Sequence, residues 1–225
     1  VHPLLHAQLP YDPATDLVPL SLLFRATFLL FTGGANPHRS LADLLARARR
    51  QPGGTSYATL GNGHASHVAM ETFARAAGVQ MLHVPFKDAG AMFTAVASGD
   101  VDVTPVGFNS AAGLVAAGRL RPLAVAARQR LASQPDIPTI TEAGGPPVEM
   151  YPWAGLVAPA GTPGPVLAQL QDDLQAALAA PALRQRTEQA GFELTPSTPQ
   201  QMRARMAADL AIVQPLLDEG RIARL

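Results

Sequence analysis

The chain has 225 residues, 48% of them hydrophobic, and its 17 Lys plus Arg balance 17 Asp plus Glu, with no cysteine. A chain of this size and composition can bury a core as one large domain or two small ones, which excludes general disorder. Its neutrality offers no net field to nucleic acid, an anionic membrane or an acidic partner, and without cysteine there are no disulfides, thiolate catalysis or cysteine-held metal, while the compartment stays open.

In chain order, Val1-His2-Pro3-Leu4-Leu5-His6 lacks the basic start and long apolar run of a secretion signal, and no segment reaches the roughly 18 apolar residues of a membrane span. The absence of an initiating Met points to a processed or truncated start. Leu9-Pro10-Tyr11-Asp12-Pro13 is turn chemistry, with Asp12 placed to close an Asx-turn, and regular structure is expected only after it. Val18 to Leu23 and Thr27 to Thr32 suit buried strands. Ser40 then caps an amphipathic helix from Leu41 to Arg50, stopped by Pro52-Gly53-Gly54. From here strand, turn and helix recur. Ser56–Thr59 leads through Gly61-Asn62-Gly63 to a helix over 66–77, and Met81–Val84 leads through Lys87-Asp88 to a helix over 89–98. Val101–Val106 and Leu120–Ala126 are the next strands. Asp136 to Pro147 reads as a punctuated loop, and 163–180, 181–190 and 198–217 as helices with proline or threonine starts. The alternation predicts an α/β fold with mainly parallel sheets.

Three strand ends carry candidate chemistry. Around Gly61, Asn62 and Gly63 the glycines either let the backbone approach a ligand, whose carboxylate the helix-start N–H groups could hold, or simply make a tight turn. The spacing lacks the third glycine of a dinucleotide fingerprint, and no phosphate-binding Gly-x-x-x-x-Gly-Lys motif occurs. His64 and His67, with His83 on the next strand, are the best metal-site candidates, although isolated histidines more often cap helices or bond neighbours. Ser66 beside His67 prompts a hydrolase reading, but no Gly-x-Ser-x-Gly elbow surrounds it. At the second strand end Lys87 could neutralise an anion, or be a solvated lysine beside an ordinary Asp88 cap. At the third, Asn109 offers a donor and an acceptor, or another cap. Strand ends gathered on one sheet edge are where open α/β folds bind ligands. Trp153, the single tryptophan, is expected in core packing.

Seven strings in order resemble the Bug-type receptors of tripartite tricarboxylate transporters: Tyr11–Asp16, Ala58–His67 with Glu71 and Phe73, His83–Lys87, Gly99–Asp102, Ala117–Val125, Ile137–Gly144 and Trp153–Pro159. The resemblance implies a periplasmic, two-lobed Venus-flytrap protein without catalytic activity, metal or organic cofactor. Such a protein closes on a small carboxylate or amino-acid-like ligand and delivers it to membrane subunits, without itself entering the membrane or binding nucleic acid. Together with the strand-turn-helix units, it predicts a discontinuous first lobe of 1–32 plus 127–225 and a central lobe of 33–126. It also maps ligand contacts onto Thr59, Gly61, Asn62, Gly63 and His64, onto Lys87, Asp88 and Ala89, and onto Phe108 and Asn109, with the glycine turn contacting ligand mainly through its backbone.

Relative to the family pattern, His64 replaces a common serine, Asp88 a glycine, Ala91 a proline and Phe86 a tyrosine. An aspartate within contact distance opposes an anion, so a zwitterionic, cationic or neutral ligand stays open. Family members also begin with a strand and a Pro-Gly-Gly loop that supplies half the site, for which there is no counterpart before Val1. The flanking lobe is therefore expected to be incomplete or completed by a neighbouring chain, and less stable than the central one. Two rival readings remain, an enzyme using Ser66, His64 and His67, and a degenerate paralogue that folds without binding.

Overall fold

The computed structural model describes residues 2–5 and 8–224; Val1, His6, Ala7 and Leu225, all assigned above to the first lobe, lie outside the described residues. The fold is α/β and forms two compact units. One contains the chain up to Ala26 and from Pro152 onward, the other Thr27–Tyr151.

The central unit is built from local signals that agree with one another. Helix α2 (Leu41–Arg50) starts where the Ser40 hydroxyl accepts the Asp43 N–H at 3.1 Å and the Asp43 carboxylate accepts the Ser40 N–H at 3.1 Å. Its Leu41, Leu44, Leu45 and Ala48, at helical spacing, are all buried. Three strand-helix steps and a closing strand follow: β3 (Ser56–Thr59), α3 (Ala65–Ala76), β4 (Leu82–Pro85), α4 (Ala89–Ser98), β5 (Thr104–Val106), α5 (Phe108–Ala116) and β6 (Leu120–Val125). Crossover helices return the chain to the same end of the sheet, so these strands share a direction. β3 and β4 pair in parallel with Thr59 opposite Pro85, and a parallel bridge from Tyr57 to Val103 carries the bonding on to the start of β5.

The expectation of mainly parallel pairing needs correction at β2 (Leu29–Gly33). It enters between β5 and β6 running the other way and is antiparallel to both. The crossover rule sets the direction of strands joined by helices, and β2 is not so joined to its neighbours. This strand also shifts the division between the units. Residues 27–32 belong to the central unit because β2 is its middle strand. Residues 127–151 join it because Thr139 bridges Val125, the Met150 N–H donates to the Ala126 carbonyl at 3.0 Å, and Ile137, Ile140 and Met150 are buried there. The division thus falls at 26/27 and 151/152, rather than at 32/33 and 126/127. Successive residues of the strands face opposite cores: Leu30, Tyr57 and Ala124 pack with α2 and α3, and Leu29, Phe31, Ala58 and Val125 with α4 and α5. Two-sided burial explains why these strands read as continuous apolar runs.

The other unit is a three-stranded antiparallel sheet, with β1 (Leu17–Ala26) between β7 (Trp153–Pro159) and β8 (Phe192–Leu194). It carries α6 (Gly164–Ala179), α7 (Pro181–Gln189) and α8 (Pro199–Asp218). Thr198 and Gln201 cap α8 reciprocally, and the Asx-turn at Asp12 forms, its carboxylate accepting the Ala14 N–H at 2.9 Å. Structure begins earlier than Leu9, because α1 (His2–Leu5) makes one turn and buries Leu5. Strand β8 has no signal of its own in the sequence. Phe192 gains the Phe24 ring at 4.8 Å and Glu193 pairs with Arg25 at 2.9 Å, and both partners lie on β1. Trp153 is half-buried rather than in the core, and its indole N–H donates to Asp209 at 2.6 Å.

Candidate functional site

The common direction of β3, β4 and β5 brings their carboxyl ends to one edge, where α3, α4 and α5 begin. Thr59, Gly61, Asn62, Gly63 and His64 form the first connection, Lys87, Asp88 and Ala89 the second, and Phe108 and Asn109 open α5. The first two connections are neighbours, since Thr59 faces Pro85 in register and the Phe86 N–H donates to the Thr59 carbonyl at 2.9 Å. Three helix N-termini on one edge present partial positive charge without a formal cation.

The three starts are finished differently. At α3, His64 is the cap and its Nδ1 accepts the Ser66 N–H at 3.2 Å. At α4, the Asp88 carboxylate accepts the Ala91 N–H at 2.8 Å, so its charge is directed partly into its own helix. At α5, the cap is Gly107, which makes no side-chain cap hydrogen bond. Lys87 is the only lysine in the chain and is exposed. It makes no hydrogen bond or ion pair among the described residues.

In the glycine turn, backbone donors expected to face a ligand are committed inside the protein. The Gly61 N–H donates to Thr59 Oγ1 at 3.2 Å, the Gly63 N–H to His67 Nδ1 at 3.1 Å, and the His64 N–H to the Gly61 carbonyl at 3.3 Å. Gly63 has φ +72°, which an L side chain rarely adopts.

Beneath the turn lie His67 and His83, for which the sequence left metal ligation, catalysis and plain hydrogen bonding open. The His67 and His83 rings stack with centroids 3.8 Å apart and planes 10° apart, and His83 stacks on Tyr57 at 5.1 Å. Thr59 Oγ1 is 2.6 Å from His83 Nε2, and the Tyr57 hydroxyl donates to Glu71 at 2.5 Å. Burial, and then the neighbouring His83, pushes His67 down to about 3, and burial pushes His83 down to about 4. Stacked rings do not aim their lone pairs at a shared point, and His67 Nδ1 and His64 Nδ1 already accept protein donors. The four-residue spacing of Gly63 and His67 was the available signal; the stack, between residues on different elements, had none.

The enzyme reading loses its geometry as well. Ser66 Oγ lies 2.8 Å from His64 Nδ1, but Ser66 is 3% exposed and the same nitrogen accepts its backbone N–H. That is a helix cap. A pocket of about 420 Å³ in the other unit, lined by Leu20, Gln171, Asp172, Gln175 and Gln201 among others, contains none of the candidate site residues.

Comparison with known proteins shows the family and the fold. Residues 1–220 match the family model described as the tripartite tricarboxylate transporter family receptor. The UPF0065 protein of the tcbD-tcbE intergenic region of Pseudomonas sp. strain P51 is 30% identical over 96% of this chain. The chain spans 65% of that relative's length. Among solved structures, R. palustris Rpa4515 with adipate superposes with a TM-score of 0.85 at 31% identity, covering 98% of this chain and 74% of that one. MatC (Rpa3494) from Rhodopseudomonas palustris with bound malate gives 0.78 at 27% identity, covering 93% and 74%. The fold is that of the periplasmic binding proteins, and the chain belongs to the tripartite tricarboxylate transporter receptor family.

Proposed function

We propose that the chain is the ligand-holding part of a periplasmic solute receptor, taking a small carboxylate-bearing metabolite and delivering it to the membrane subunits of a tripartite transporter without chemical turnover. The observation that carries this reading is the single unpaired lysine, Lys87, on the edge where three helices begin. In a neutral protein this is local anion-holding chemistry. Lys87 supplies the formal charge, and the start of α5, whose cap Gly107 has no side chain, supplies backbone donors, with Asn109 in its first turn. With Gly63 and His64 donating inside the turn, Thr59, Gly61, Asn62, Gly63 and His64 shape one wall of the site more than they grip the ligand. Asp88 beside Lys87 favours ligands that also carry a donor, such as hydroxy acids or amino acids, over bare anions. Adipate and malate, seen on structural relatives, are the natural first probes.

The test is a thermal-shift and calorimetric screen of adipate, malate, amino acids and aromatic acids. A ligand at 100 times its Kd adds about 2.7 kcal/mol to stability. The expected result is saturable binding without turnover, weakened at least roughly tenfold in Lys87→Met, the effect of losing one charge-assisted contact. Parent affinity in Lys87→Met would place the site elsewhere, and turnover abolished by Ser66→Ala would restore the enzyme reading.

A further inference from the structure

The stacked pair of imidazoles, one buried and one half-buried, is more than core filling. Resting on the reading of this edge as the ligand site, we infer that His67 is a positioning residue, its neutral imidazole using Nδ1 as the fixed acceptor that sets the Gly61–Gly63 turn, with His83 stacked against it as the brace.

Three observations carry this. First, the Gly63 N–H donates to His67 Nδ1 at 3.1 Å across one helical turn, so that nitrogen must be unprotonated and the ring proton must sit on Nε2. Second, the other end of the turn is tied to the partner ring. Thr59 Oγ1 accepts the Gly61 N–H at 3.2 Å and lies 2.6 Å from His83 Nε2. The residues flanking the turn are thus each fastened to one of two rings that stack 3.8 Å apart. Third, His67 is 2% exposed and sits against His83 on one side, with Tyr57 at 6.2 Å, so the acceptor has little room to move.

The device has a consequence for recognition. A glycine turn with φ +72° at Gly63 is intrinsically flexible, and a flexible wall costs affinity when it is ordered on binding. Holding the Gly63 N–H on His67 orders the turn in advance. It also withdraws that donor from the ligand. His67 acts through the turn and does not touch the ligand.

The experiment compares His67→Asn, whose amide oxygen stands where Nδ1 stands, with His67→Phe, which keeps a stacking ring but removes the acceptor. His67→Gln, which moves the acceptor outward, serves in the same role should phenylalanine not be accommodated. Hydrogen exchange of the Gly63 amide and ¹⁵N spectra of His67 are read without ligand; adipate and malate affinities are read by calorimetry. Expected are an Nε2–H tautomer, a Gly63 amide protected in wild type and in His67→Asn, and exchange about tenfold or more faster in His67→Phe, the factor one lost hydrogen bond gives. Affinity should follow the same order. Equal Gly63 protection in all variants, or an Nδ1–H tautomer, overturns the proposal. So does parent affinity in His67→Phe. If wild type binds neither probe, the carboxylate reading fails for these ligands while the amide measurement still decides whether His67 holds the turn.

Discussion

The two units handle apolar surface in opposite ways. Among the described residues, 27 of the 35 buried hydrophobics lie in the central unit, and all of both core clusters with them. Eight of the ten exposed large hydrophobics, including Leu156, Val157, Val166 and Phe192, lie in the other unit. The central sheet has helices on both faces and two cores, whereas the antiparallel sheet ends in β7 and β8, each with one open edge. A sheet covered on both faces stabilises itself through burial, and one with apolar residues left in solvent gains less from each strand it orders. The candidate site stands on the better-buried unit, as preorganisation requires.

The largest expected effect that probes this contrast is a cavity in the central core. Phe73→Ala, at a side chain with no exposure, should cost about 3–5 kcal/mol in chemical denaturation, whereas Leu183→Ala, at a site 37% exposed in the other unit, should cost well under that. Equal costs would mean that the exposed apolar face is packed in solution.

Acid should narrow the difference. His67 and His83 stay neutral in the fold, with folded values near 3 and 4, while the unfolded chain takes up protons near 6.5. Between those limits the unfolded state binds more protons, so their contribution is fully present above about pH 6.5 and is lost as pH falls. Each ring contributes a slope of up to roughly 1.4 kcal/mol per pH unit. The groups around His67 are His83, Tyr57 and, one helical turn on, Glu71 bonded to Tyr57. Urea unfolding between pH 6 and 4 should show a shallower loss in His67→Asn than in wild type; the same slope in both would mean that His67 titrates normally.

The smallest effect is expected at the edge strand. Leu156→Ser, at 44% exposure in β7, should change stability by no more than about 0.5 kcal/mol while reducing self-association by light scattering. A loss of several times that would show Leu156 to be buried in the native protein.

Legibility in the sequence followed how local each signal is. The capping box at Ser40, the alternating strand-turn-helix steps with their three connections, and the Asx-turn at Asp12 were all readable, because each depends on residues within a turn or two of one another. Family membership was readable for the same reason, as a chain of short strings in order. Strand β8 was not, since its stability comes from Phe24 and Arg25, some 168 positions away.

What the sequence determined by itself is therefore the set of elements, their caps, the α/β class and the residues that reach the carboxyl edge. What only the tertiary structure decided is where β2 inserts and in which direction, hence where the units divide, and how the ring nitrogens and loop amides are spent. Insertion of a strand between two others is settled by which edges are open when it arrives, and hydrogen-bond partners by which atoms come within about 3 Å. Periodicity reports which face a residue presents, but not what it meets. That is why His64, His67 and His83 left metal ligation, catalysis and capping open along the chain, while in the fold one is a helix cap, one accepts from a glycine turn and one stacks against it.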